Sequence, residues 1–291
     1  MLRHPRDVVT VIHVLLAAVL LWMALAHSLY WMPVAVFVAM HLIAVEHNHA
    51  HLSVFRSRAL TFALDQLLLL LCGMPILFWK VHHLGNHHRF NWTEQDWSSP
   101  FNFRHAQSPE QPVSYRYYQL TYYPLFCFHS TIHVLRSRNP RLLGTLVATA
   151  VTMSIGSAIL VDVFGVWRWL AVMGTTYLAA GLMLGAANYL EHYSVHEDAH
   201  HFSAWTYTCR IHNLLSYNGG YHLLHHLRPS VHWSDLPHEH AADPSYAHPH
   251  LIEAGLFPGY RGAHGLRRWL EAHAMPAEGS GLQLAESRTA Q

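Results

Sequence analysis

Three short clusters carry the chemistry this chain could do: His47-Asn-His-Ala-His51, His83-Leu-Gly-Asn-His87-His88 and His222-Leu-Leu-His225-His226. Neutral imidazole is the commonest side-chain metal ligand. Residues four apart share one face of a helix, so His47 and His51 could hold one ion while His49 points elsewhere, towards an orienting role or solvent. In the second cluster the four-residue spacing aligns His83 with His87, and His88 is rotated by about a third of a turn, towards a second ion. The third cluster is the same device, with spacings of three and four. One such pair is weak evidence, because ordinary structural histidines are common. Three clusters, two of them ending in paired histidines, are hard to explain as packing. A fourth element, Asn188-Tyr-Leu-Glu-His192, puts Asn188 and His192 one helical turn apart. The eight cluster histidines with His192 make nine nitrogens, enough for two ions with positions left open.

Imidazole suits iron, copper and zinc, so ligand type alone does not choose the metal. Breaking an unactivated C–H bond does narrow the field. Side-chain acids and bases cannot do it, whereas an oxidant made from metal and dioxygen can.

The rest of the chain must bring these clusters together. It has 291 residues, 52% of them hydrophobic and only 12% charged, against about 25% charged in a soluble domain. Histidine is abundant, with 29 copies. The net charge of +1 draws it to no nucleic acid. Cys72, Cys127 and Cys209 lie too far apart for a zinc ribbon or a disulfide framework and read as small core residues. Four stretches reach the roughly 20 apolar residues a bilayer demands: Val8–Ala26, Leu29–Val45, Leu142–Val161 and Val166–Leu190. A second apolar run follows the first almost at once, so the first is expected to be a span and not a cleaved signal. Short links make the four into two hairpins.

Ala59–Phe78 is also apolar but contains Asp65, Gln66, Gly73 and Pro75. It separates two histidine clusters that should share a site, so an interfacial or re-entrant helix pair is expected there, with a fifth crossing as the alternative. Aromatic Tyr115–Val134 should lie in the interface too. Of the basic residues, only Arg168 falls on the side of the two short links. The bias predicts cytoplasmic termini and clusters, as in a bacterial inner membrane. The fold class expected is all-α integral membrane: four spans, interfacial helices, and a histidine-rich cytosolic cap from 46–141 and 191–270. Residues 1–274 would form a single domain, and 275–291 a polar, disordered tail.

At this point the residues resemble the integral-membrane fatty-acid desaturase superfamily, which includes acyl desaturases, alkane monooxygenases and carotenoid or sterol oxygenases. Its HxxxH, HxxxHH and HxxHH boxes match at His47/His51, His83/His87/His88 and His222/His225/His226. The run Tyr217-Asn-Gly-Gly-Tyr-His-Leu-Leu-His-His, with Pro229 and His232-Trp233 after it, is similar to the closing signature of bacterial members. Asn188-Tyr-Leu-Glu-His192-Tyr193 resembles the NYxEHY segment of alkane monooxygenases. The resemblance implies His192 as ninth ligand, Asn188 as a ligand through water, and a di-iron centre with dioxygen as co-substrate. It also implies four spans under a cytosolic cap. With no electron-carrier domain visible, a separate ferredoxin- or rubredoxin-like donor with its reductase is expected.

Around the boxes, His82, His196, His200, His201 and His212 read as orienting or surface groups, and Glu191, Asn91, Glu94 and Asp96 as possible partners for box histidines. His238, His240, His248 and His250 are irregularly spaced and read as surface. Gly181 and Gly185 form a small-xxx-small packing face. Tyr117, Tyr118, Tyr122 and Tyr123 could line a substrate mouth or form an aromatic belt. The function expected is desaturation of a long acyl chain, with hydroxylation of a lipid or alkane at the same centre as the alternative. A divalent-metal transporter would place ligands inside its spans. Here only His13 and His41 lie there.

Overall fold

The computed structural model describes residues 1–91, 93–99, 114–192, 204–247 and 251–255. It is almost wholly helical. Four helices are long and apolar enough to cross a membrane: α1 (Asp7–Ala26), α2 (Leu29–His51), the helix Pro140–Phe164 and the helix Val166–His192. The second and fourth run past the expected ends at Val45 and Leu190, so box histidines ride directly on the tips of spanning helices. Asp7 opens α1, where a carboxylate suits the helix dipole, and its Oδ2 accepts the His4 N–H at 3.2 Å. The hairpin to α2 is turned by Ser28, whose hydroxyl accepts from the Tyr30 amide.

Next comes the ambiguous apolar stretch. Helix α3 (Arg58–Cys72) and helix α4 (Ile76–Phe90) meet at 105° across Gly73-Met74-Pro75. Gly73 takes a left-handed backbone (φ 78), and a Cβ there would lie 2.7 Å from the Tyr177 ring. Proline two residues on cannot continue the helix. The chain therefore doubles back as a bent pair and returns to the side from which it left α2.

Helix α5 (Tyr115–Ser137) does not qualify as a span and lies against the last spanning helix. Its partners explain the glycine pair: a Cβ on Gly181 would sit 2.9 Å from the Tyr123 ring, and one on Gly185 3.0 Å from the Gln119 backbone. In lipid no hydrophobic drive separates helix from tail, so close van der Waals approach through small residues decides the packing. Ala17, Ala24, Ala35, Ala39 and Ala180 are accordingly fully buried. Most of the four tyrosines belong to this packing rather than to a belt. Tyr118 and Tyr122 are buried, and Tyr123 donates to the Gly73 carbonyl.

Helix α6 (Pro140–Phe164) starts at an Asn139 cap with Pro140 in its first turn. It presents Val147, Val151, Ile155 and Ile159 outward at four-residue spacing, as a lipid-facing helix should. Helix α7 (Val166–His192) returns across the membrane. At the end remote from the histidines, Arg168 donates to the Ala24 carbonyl in the last turn of α1. Three short helices follow, α8 (Arg210–Leu215), α9 (His222–Leu227) and α10 (Leu236–Ala242). Among the described residues the only sheet is a parallel pair, Thr206–Tyr207 with Ile252–Glu253. Tyr193, His196, His200, His201, His248, His250 and the expected tail 275–291 lie outside the described residues.

Candidate metal centre

The nine histidines converge in two groups. Ligand nitrogens of His47, His51, His83, His88 and His225 all lie within 4.8 Å of one another, and those of His87, His192, His222 and His226 do the same. The groups stand side by side, with the His88 and His226 rings stacked at 4.2 Å.

Separations within the groups are informative. His225 Nε2 is 2.9 Å from His47 Nε2 and 3.1 Å from His51 Nε2. His222 Nε2 is 3.0 Å from both His192 Nε2 and His226 Nε2. A neutral imidazole has one N–H, so one nitrogen cannot satisfy two acceptors in this way. Two nitrogens bound at about 2.1 Å to a shared ion, at a right angle, would stand about 3.0 Å apart. The donor set fits two metal ions.

The surroundings keep the imidazoles neutral and aimed. Burial first, then the neighbouring imidazoles, hold His222, His225 and His226 well below the ordinary histidine value of 6.5. His87 Nδ1–H donates to Asp96 Oδ2 at 2.8 Å, with the Ser98 hydroxyl also 2.8 Å away. That tautomer turns the lone pair of Nε2 towards its group, and Nε2 is buried with no hydrogen-bond partner among the described residues. His222 Nε2 lies 3.4 Å from Glu191 Oε2. So Asp96 and Glu191 stand beside box histidines, whereas Glu94 is exposed. Asn91 is buried, and its backbone amide donates to the His87 carbonyl at 2.6 Å. Asn188 is buried one turn before His192, its Oδ1 bonded by the Tyr118 hydroxyl at 2.5 Å.

The pairing in the second box differs from the helical expectation. His83 groups with His88, their Nε2 atoms 3.0 Å apart, while His87 joins the other group. The cause is local: Trp79–His87 is a π-helix, whose i→i+5 ladder brings residues five apart into register. The third box follows α-helical spacing, with His222 and His226 in one group and His225 in the other.

His49 is not solvent-facing. It is buried, bonding Asp65 at 2.8 Å and accepting the Val54 amide at 3.0 Å, and so ties the end of α2 to α3. His82 is fully buried among Trp97, Tyr122, Phe126 and His129, and His212 packs on Tyr207. His238 is exposed and His240 contacts the Tyr246 hydroxyl at 2.8 Å.

Sequence reasoning passed over Glu46 and Trp79. Buried Glu46 accepts from Cys72 Sγ at 3.2 Å and Trp79 Nε1 at 3.1 Å, and the Trp79 ring stacks on His47 at 5.5 Å. An acid at the end of an apolar span, next to a box histidine, was the available signal. His13 and His41 are bonded to backbone carbonyls and belong to neither group. A third set, His4, His232 and Asp235, sits at the surface.

A family model, that of the fatty acid desaturases, matches residues 20–254, well over half of the chain. The chain belongs to the fatty acid desaturase family. No curated protein matches it closely enough to add a narrower name. Membership makes it a membrane oxidoreductase of the desaturase/hydroxylase type, a family that uses metal, and all three histidine boxes lie within the matched stretch.

Proposed function

We propose that this desaturase-family chain is a di-iron, dioxygen-dependent acyl-lipid desaturase. The observation that carries the reading is the division of nine imidazoles into groups of five and four, with neighbouring nitrogens at ligand spacing. His47, His51, His83, His88 and His225 would hold one iron, and His87, His192, His222 and His226 the other, with Asn188 reaching the second through water. Iron bound there, with dioxygen and electrons from a partner, would supply the oxidant that a methylene C–H bond requires.

The chain's own residues do the remaining work. Buried imidazoles arrive deprotonated, so no proton must leave before a metal binds. Asp96 fixes the tautomer of His87, and Trp79 with Phe126 walls the His47 side against water. The substrate is a long apolar chain. The electron donor is a separate ferredoxin- or rubredoxin-like protein with its reductase, docking on the cytoplasmic side that the basic-residue bias favours.

Two measurements test this. Metal analysis of purified protein should give about two irons per chain, and zinc without dioxygen consumption would sink the proposal. Lipid mass spectrometry on cells expressing the chain should show loss of two hydrogens. Gain of one oxygen would make it a hydroxylase.

A further inference from the structure

Glu46 is fully buried, one residue before the first box histidine, in the last turns of α2. Each of its oxygens has its own donor: Oε1 accepts from Cys72 Sγ at 3.2 Å, and Oε2 from Trp79 Nε1 at 3.1 Å. Cys72 ends α3 and Trp79 lies in α4, so one carboxyl grips both arms of the bent pair. A buried carboxyl is unfavourable unless its oxygens are bonded. Here both bonds also fix the bend against α2.

That grip delivers an indole face to the histidines. Trp79 is 4% exposed, its ring stacked on His47 at 5.5 Å and 23° and edge-on to His83 at 5.3 Å and 76°. Phe126 closes on the same indole at 5.7 Å. Both imidazoles belong to the five-histidine group. The outer torsion of a histidine is soft, with a broad, roughly two-fold preference, so a ligating ring needs something to hold its plane. In the four-histidine group Asp96 does this through the hydrogen bond to His87 Nδ1. Among the described residues, the histidines paired with carboxylates are His4, His49, His87, His222 and His232, and none of these belongs to the five-histidine group. Its plane-holding contact is the indole.

We propose that Trp79, clamped by Glu46, is the positioning residue of the five-histidine group: its flat face holds the His47 plane, as Asp96 holds that of His87. The two ions are thereby steadied by different means, an aromatic face and a carboxylate hydrogen bond, and respond to different substitutions. The inference rests on the two-ion reading above, and not on which reaction the ions serve.

The test loads full-length protein in detergent with cobalt(II) and reads chelator competition together with the visible d–d spectrum. Trp79→Leu, which fills space without a flat face, should loosen one cobalt about tenfold and alter its bands while the other stays as in the parent. Trp79→Phe, which restores a face, should return the affinity to within about threefold of the parent. Glu46→Leu should copy Trp79→Leu, and the double variant should be no worse than either, because the two residues form one device. Asp96→Asn should loosen the other cobalt, and its effect should add to that of Trp79→Leu. Loosening of both ions together, no change in either, or a Trp79→Phe variant as weak as Trp79→Leu overturns the proposal, since a wall that merely fills space needs no flat face. A parent that binds two cobalt ions while the iron-loaded protein oxidises no lipid removes the desaturase reading and leaves the indole clamp standing. A parent holding fewer than two cobalt ions removes both.

Discussion

Two sets of histidines in this molecule look alike in composition and differ in everything that matters for binding a metal. The central set has nine imidazoles whose Nε2 atoms converge, six of them on buried residues. The peripheral set has His4 and His232 with Asp235, whose side chain is 51% exposed. There the two rings stack face to face at 3.8 Å, so their in-plane lone pairs lie in separate, nearly parallel planes. Both His232 nitrogens are also engaged, Nε2 with Asp7 at 3.1 Å and Nδ1 with Ser234 at 2.8 Å. One set is a cage; the other staples the N-terminus to the segment after the third box. Burial and convergence of lone pairs, not the number of histidines, separate them.

The comparison breaks first at His222, whose Nε2 touches two other ligand nitrogens. His222→Ala should lower the metal content from about two to about one per chain and bring turnover to background, with the protein still in the membrane. Metal analysis beside a lipid assay checks it. Two metals and normal turnover would remove the third box from the site.

How much of that cage was legible beforehand depends on the element. Hydropathy located four spans because bilayer thickness sets a length that sequence displays directly. The HxxxH and HxxHH spacings pointed to the histidines that converge because an α-helix puts such residues on one face, as His47/His51 and His222/His226 do. The second box was misread in detail. Nothing in Trp79–His87 announces a π-helix, and that single change of period exchanges His87 and His88 between the groups. The bend after Cys72 was half legible, since Gly73 and Pro75 mark a break but not its 105°. The Asp96–His87 contact spans nine residues across a turn, so it could be suspected but not assigned.

That contact gives the next prediction. Carboxylates behind metal-binding histidines typically contribute about 10–100-fold in metal affinity. Asp96→Asn keeps the size but weakens the pull on the Nδ1 proton. It should loosen metal by that factor in a chelator competition and lower turnover in proportion, while the five-histidine group keeps its ion. Asp65→Asn, which touches His49 outside the cage, should leave metal affinity unchanged.

A smaller effect follows from acid. Folded His222, His225 and His226 have pKa values below the unfolded value near 6.5. The unfolded chain therefore takes up protons first as pH falls. Stability of the metal-stripped protein is greatest above 6.5 and declines below it, by up to about 1.4 kcal/mol per pH unit for each such imidazole. Its melting temperature in detergent should drop between pH 7.5 and 5.5. Metal-loaded protein should resist over the same window until acid strips the ions. Identical pH curves for stripped and loaded protein would contradict buried, neutral ligands.

The smallest effect sharpens the contrast from the other side. In His232→Ala, Asp7, only 4% exposed in the parent, loses its histidine partner, and its carboxylate keeps only the His4 amide. Leaving a buried acceptor short of a partner costs about 1–3 kcal/mol. The variant should therefore melt a few degrees lower, yet carry about two metals and turn over like the parent. Loss of a metal in this variant would mean that the peripheral histidines feed the cage and would erase the distinction drawn between the two sets. Unchanged metal with a lowered melting point fits a staple, because the cost then lies in the Asp7 contact at the start of α1 and not in the converging nitrogens.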